Sequence, residues 1–174
     1  MIASAYEKVE RGLDRKAFTL VETIMSSLIV GAMLVAALST VGASRLSQQR
    51  TSQYSCGQLL AESLMAEILR QDYLDPDDTP VFGCESGEST STRIDFDDVD
   101  DYDGWLSAPP EQKDGTQIPN LTGWQRSVVV QWVNPNDPRE VKFSESNAKR
   151  VIVTVICNNK QVGSLTAIRT YSGL

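Results

Sequence analysis

Histidine is missing from all 174 residues. Its absence removes Ser-His-Asp nucleophile triads, imidazole metal ligands and imidazole acid–base chemistry. Cysteine is scarce, with only Cys56, Cys84 and Cys157 and no Cys-x-x-Cys pair, so a thiolate zinc site of the usual spacing is excluded. Cations are in short supply: 16 Lys and Arg stand against 23 Asp and Glu, for a net charge of −7. A chain this acidic has no general attraction for nucleic acid, which rewards clustered positive charge, so no nucleic-acid partner is expected. The C-terminal part shows no P-loop, no Gly-rich phosphate cradle and no nucleophile–base pairing, so the chain reads as a non-enzyme. Apolar residues make up 41% of the chain, too many for a disordered one, and they are unevenly placed.

The uneven part is the N-terminus. Between Lys16 and Arg45 lie 28 residues that carry one charge, Glu22. A bilayer core needs about 20 mostly apolar residues in a helix. Leu28, Ile29, Val30, Met33, Leu34, Val35 and Leu38 point all round a helix, whereas a soluble amphipathic helix keeps a polar face. A buried core helix would need the acidic remainder to wrap the whole rod. Lys8, Arg11, Arg15 and Lys16 precede the run and only Arg45 and Arg50 follow closely, a bias that favours a cytoplasmic N-terminus. A secretory signal cut near Val41-Gly42-Ala43, leaving Ser44 first, is the competing reading. Against it, the run is about twice the 7–15 residues of a usual signal core. It also carries a carboxylate near its N-terminal edge, and an acid inside a membrane is costly unless it has a partner.

Arg15-Lys16-Ala17-Phe18-Thr19-Leu20-Val21-Glu22 resembles the prepilin cleavage and methylation motif of type IV pilins and type II secretion pseudopilins. The family pattern is a basic leader, a small residue, Phe-Thr-Leu-aliphatic-Glu, and an apolar helix. Ala17 departs from it, because the family usually has Gly before the cut. The resemblance implies cleavage between Ala17 and Phe18 by a prepilin peptidase and N-methylation of Phe18. It makes Glu22 the fifth residue of the mature chain and the assembly glutamate. Cleavage would expose an ammonium at Phe18, and the Glu22 carboxylate of a neighbouring subunit could face it. Each charge would then recover part of its desolvation cost, and the pair would set register in a fibre.

The helix is expected to continue. Residues 45–73 hold no Pro and a single Gly, Gly57, and Leu60, Leu64 and Ile68 recur every four residues with Leu59, Met65 and Leu69 beside them. The expectation is one helix of roughly 50 residues, about 75 Å long at 1.5 Å per residue. Its first half (18–44) would span the membrane. Its amphipathic second half (45–73) would pack on a sheet, and Asp75-Pro76 would stop it.

Residues 74–174 form the expected head. Its first part is rich in Asp, Gly, Ser, Thr and Pro, with Phe82, Ile94, Phe96, Trp105, Leu106 and Trp124 as anchors. Six aspartates fall in the nine residues 95–103. Oxygen donors at that density suit calcium, with Asp97, Asp98, Asp100, Asp101 and Asp103 as candidate ligands. The EF-hand pattern fails, since Val99 stands at the first ligand position and Pro110 at the twelfth. The alternative is a solvated acidic loop with Phe96 and Tyr102 packed inward.

Strands are read at 126–133, 150–157 and 162–171, the last holding Leu165, Ala167 and Ile168, with 134–138 ending the first and 158–161 turning between the other two. In an oxidising exterior, Cys56, Cys84 and Cys157 permit one disulfide of undetermined pairing and leave one thiol; buried free thiols are the alternative. The fold class is therefore α+β and pilin-like: a long N-terminal helix packed on a C-terminal antiparallel sheet.

The resemblance implies a minor pilin or pseudopilin of a type IV pilus-like or type II secretion fibre. Its partners would be the prepilin peptidase/methyltransferase, other pilin or pseudopilin subunits and the inner membrane. It would cross that membrane once, with its head periplasmic or extracellular. Removal of residues 1–17 leaves 12 cations against 20 anions, a more acidic body still. The alternative is a secreted or membrane-anchored binding protein with a calcium-stabilised acidic loop.

Overall fold

The computed structural model describes residues 18–75, 81–85, 88–89 and 91–171. The leader 1–17, including Ala17, and Pro76 lie outside the described residues. Two compact units divide the chain, Met1–Leu46 and Ser47–Leu174.

Helix α1 runs Leu20–Ile68, 49 residues, and is long and apolar enough to cross a membrane. In the first unit every residue from 18 to 46 is exposed, including Leu20, Leu28, Met33 and Leu38. The hydroxyls in this stretch return to the helix's own carbonyls: Thr23 Oγ1 donates to Leu20 O at 2.8 Å, Ser27 Oγ to Ile24 O at 2.8 Å and Thr40 Oγ1 to Ala36 O at 2.9 Å. A hydroxyl satisfied this way needs no water, which makes it tolerable in hydrocarbon.

The second unit packs the last turns of α1 on an antiparallel sheet. The strands are β1 (Leu106–Ser107), β2 (Trp124–Asn134), β3 (Asp137–Val141), β4 (Ala148–Cys157) and β5 (Lys160–Thr170), ordered β1-β2-β4-β5 with β3 paired to β2. Long ladders join the middle strands, as Val128↔Val153 and Val151↔Ala167 illustrate, with one register shift in the β4–β5 ladder between Val155 and Ile156. The period-2 pattern of β4 turns Val151, Val153, Val155 and Cys157 inward. Leu60, Ala61, Leu64, Met65 and Ile68 meet them from the helix, joined by Phe96, Val99 and Tyr102 from the loop region. The β4–β5 turn is a two-residue hairpin with Asn158 and Asn159 both at positive φ (47° and 63°), where Asn is among the few non-glycine residues at ease.

Gly57 lets helix and sheet come this close. A methyl group there would lie 2.7 Å from Val162 Cγ2 and 2.8 Å from Val162 O, and one on Gly163 would lie 2.6 Å from Gly57 O.

Four details differ from the expectation. The helix ends at Ile68, five residues early, because Arg70 and Gln71 close the last turn with i→i−3 bonds and Asp72 then pairs with the acidic loop through Asp72 N to Asp97 O and Val99 N to Asp72 O. Ile94 and Leu106 do not anchor the loops and are 59% and 57% exposed, while Val99 and Leu121 take that place. Ile168 points outward, on the opposite face from Leu165 and Ala167. The segment read as a strand ending carries β3, and its Pro138 is tolerated because β3 is an exposed edge needing no donor from that residue.

Candidate functional site

The N-terminal segment is organised by Thr19. Its Oγ1 accepts the Glu22 backbone N–H at 3.3 Å, and its carbonyl accepts Thr23 N at 3.2 Å. Thr19 is thus the helix N-cap and Glu22 the third residue of the first turn, the Thr-x-x-Glu spacing of a capping box. That capping signal stood in the sequence and escaped the reading of Glu22 as an assembly residue alone. The two roles are compatible: the backbone uses the amide of Glu22, and the carboxylate stays exposed at the positive end of the helix dipole. Among the described residues no cation pairs with it.

The acidic loop is only half solvated: Asp95, Asp97 and Asp103 are exposed. Phe96 and Tyr102 do pack inward, edge to face with ring centroids 4.9 Å apart, but Asp98, Asp100 and Asp101 are buried with them. Asp98 Oδ1 accepts the backbone N–H groups of Asp100 (2.7 Å) and Asp101 (3.2 Å). Asp101 Oδ2 accepts those of Asp97 (2.9 Å) and Asp98 (3.0 Å). Asp103, though exposed, takes Val130 N at 2.8 Å and ties the loop to β2. Five of the six aspartates thus accept main-chain N–H groups, Asp100 from Gly83 at 3.2 Å and Asp95 from Ser89 at 3.3 Å among them.

Lys149 neutralises this loop. It lies on the inward side of β4, 1% exposed, in line with Val151 and Val153. Its Nζ donates to Asp100 Oδ1 and to Tyr73 O, lies 3.7 Å from Asp98 Oδ2, and sits 4.6 Å from the centre of the Tyr73 ring. One ammonium serves two carboxylates. Burial, with the Asp100 charge second, pushes the Asp98 carboxyl up to about 8 although Lys149 pulls the other way. Asp98 and Asp100 share this one ammonium, which lies closer to Asp100.

A second buried cation, Arg93, donates Nε to Glu67 Oε1 at 2.8 Å and stacks over Trp105 with its guanidinium carbon 4.1 Å from the ring centre. Arg126, on the inward side of β2, approaches the same ring at 5.7 Å and donates to Glu111 O. Burial, then the Arg93 charge, lowers Arg126 to about 10. Tyr102 joins this group through its hydroxyl to Glu67 Oε1 at 3.1 Å. The strand read at 126–133 took in Arg126, but Lys149 lay just before the strand read at 150–157, and neither partner was legible in the sequence.

All three cysteines are free thiols. Cys56 and Cys157 belong to the helix–sheet core, Cys157 fully buried. Cys84, in the loop region, also packs against that core, its Sγ donating to Asp101 O at 3.3 Å. Cys84 Sγ and carboxylate oxygens of Glu88 and Asp101 lie within 4.8 Å of one another, the sole such grouping among the described residues. Of the aspartates expected to hold calcium, Asp101 alone belongs to it; Asp97, Asp98, Asp100 and Asp103 do not converge there. Burial, then the charges of Asp101 and Glu88, raises the Cys84 thiol to about 11. Burial likewise raises Glu88, and burial with the Glu88 hydrogen bond raises Glu85 to about 7.

No protein-family model, no curated protein and no solved structure matches the chain.

Proposed function

We propose that the chain is a structural subunit, a minor pilin or pseudopilin of a type IV pilus-like or type II secretion fibre. Its pilin-like layout is a long apolar helix leading into an antiparallel head. A prepilin peptidase cuts between Ala17 and Phe18, Phe18 is methylated, and the helix holds the subunit in the inner membrane with its N-terminus cytoplasmic. The head stands on the far side. Extraction into the fibre brings Glu22 to the Phe18 ammonium of a neighbour, so each charge gains the partner that hydrocarbon denies it.

One observation carries this reading. Phe18-Thr19-Leu20-Val21-Glu22 opens a helix whose residues 18–46 are all exposed, with a single carboxylate in the first turn and the hydroxyls nearby turned back on the helix. Such a surface calls for lipid or other helices around it.

The mature N-terminus tests it. Peptide mapping of native protein should recover methylated Phe18 as the first residue. Recovery of residues 1–17 on all of the protein defeats the reading, and a start at Ser44 replaces it with secretion. Glu22→Gln should leave insertion and cleavage intact while fibre incorporation fails; normal incorporation removes the assembly role from Glu22.

A further inference from the structure

Asp101 is 2% exposed and spends Oδ2 on two backbone amides, yet its Oδ1 is buried with no hydrogen-bond partner. An orphaned carboxylate oxygen in a buried site is costly, and native structures rarely leave one without cause. No cation pairs with it among the described residues. Cys84 Sγ and a Glu88 carboxylate oxygen share the 4.8 Å grouping with Asp101, and Glu85 Oε1 nearby in sequence is also buried without a partner. The ion pairs of the described head run from Arg93 to Glu67 and Glu111, from Lys142 to Glu140 and from Lys149 to Asp98 and Asp100, and none reaches Glu85, Glu88 or Asp101.

The three donors are held in place independently. Gly83 N donates to Asp100 Oδ2 at 3.2 Å, and Phe82 packs on Trp132 with ring centroids 4.6 Å apart, which fixes the segment that carries Cys84. Glu85 N donates to Glu88 Oε2 at 2.9 Å and Glu88 N donates to Glu85 O at 3.3 Å, which holds Glu88 against Glu85. Asp101 is fixed by its two amides. Ligand atoms around a tetrahedral Zn²⁺ stand about 3.5 Å apart, given metal–sulfur and metal–oxygen bonds of about 2.3 and 2.1 Å. The three ligand atoms lie within 4.8 Å of one another, so binding requires them to draw together around the ion.

We propose that Cys84, Glu88 and Asp101 bind a divalent metal ion of borderline softness, Zn²⁺ being the best match. The donor set selects the class: a thiolate beside carboxylates suits Zn²⁺ or Co²⁺, whereas calcium takes oxygen donors only. On binding, the Cys84 S–H bond breaks, its proton leaves to solvent, and the Sγ–metal bond forms with no change of oxidation state. A water fills the fourth position. The site belongs to the head and is independent of the fibre reading.

Co²⁺ titration of the reduced full-length protein in detergent tests this. A thiolate-to-cobalt charge-transfer band should grow to one equivalent, release about one proton per ion from the thiol, and yield to Zn²⁺ but not to a large excess of Ca²⁺. Cys84→Ser should abolish the band, and the Cys56→Ala/Cys157→Ala double variant should keep it. Glu88→Gln, a change at a partly exposed position with little risk to folding, should weaken binding at least about tenfold, since even the outer partners of metal ligands cost that much. No band with wild-type protein, a band that survives Cys84→Ser, or displacement by Ca²⁺ overturns the proposal.

Discussion

Gly57→Ala sets two effects of known sign against each other. In an exposed helix, Ala in place of Gly gains about 1 kcal/mol of propensity. At this position the added methyl would lie 2.7 Å from Val162 Cγ2, 2.8 Å from Val162 O and 2.9 Å from Val162 C. Ordinary contact begins near 3.5 Å, so helix and strand must part by about 0.7 Å. The Val162 side chain can turn aside; its carbonyl cannot without disturbing the β4–β5 ladder. Overpacking of this kind costs about 1–3 kcal/mol, toward the upper end where backbone is the obstacle, and parting the layers also loosens Leu60, Ala61 and Leu64 on the sheet. The steric cost wins, and the expected net effect is a loss of about 1–2 kcal/mol. Urea unfolding of the full chain in detergent, followed by the fluorescence of Trp105, Trp124 and Trp132, measures it. Gly31→Ala and Gly42→Ala are internal controls, because an added methyl there meets nothing within 4 Å. Adding Val162→Ala to Gly57→Ala should recover only part of the loss, since the carbonyl clash remains. A Gly57→Ala protein as stable as wild type, or more so, refutes the claim that helix–sheet contact here is backbone-limited.

Three further outcomes follow from the buried charges. Lys149→Met should cost about 3–5 kcal/mol in the same unfolding assay, because it strands Asp100 without its cation; a cost under about 1 kcal/mol would mean the pair is solvated. Asp98 binds its proton more tightly folded (about 8) than unfolded (about 3.9), so between those pH values the native state holds more protons. Stability from this group is therefore full below about pH 4 and declines as pH rises toward 8, and Asp98→Asn, which keeps the Oδ1 acceptor, should flatten that part of the urea-midpoint profile. Arg93→Leu should destabilise the head more than Lys142→Leu, since Arg93 is fully buried against Glu67 and Trp105 whereas the Lys142–Glu140 pair is exposed and worth little; equal melting temperatures for the two variants would contradict this.

The sequence alone determined what depends on near neighbours in the chain. The apolar run marked the first half of α1, the four-residue recurrence of Leu60, Leu64 and Ile68 marked its buried stripe, and the β-branched runs at 126–133 and 150–157 with the turn at 158–161 marked most of the sheet. Each signal is local, because a helix repeats every 3.6 residues and a strand every two, and burial follows that period. Where the acidic loop goes was a tertiary decision. Lys149 reaches Asp100 from 49 residues away, Arg93 reaches Glu67 from 26, and Asp101 meets Cys84 across 17. Six aspartates within nine residues look solvated or calcium-bound until β4 brings an inward-facing ammonium beneath them. A charge is buried only when a partner arrives to offset its desolvation, and arrival is set by packing between elements rather than by spacing along the chain.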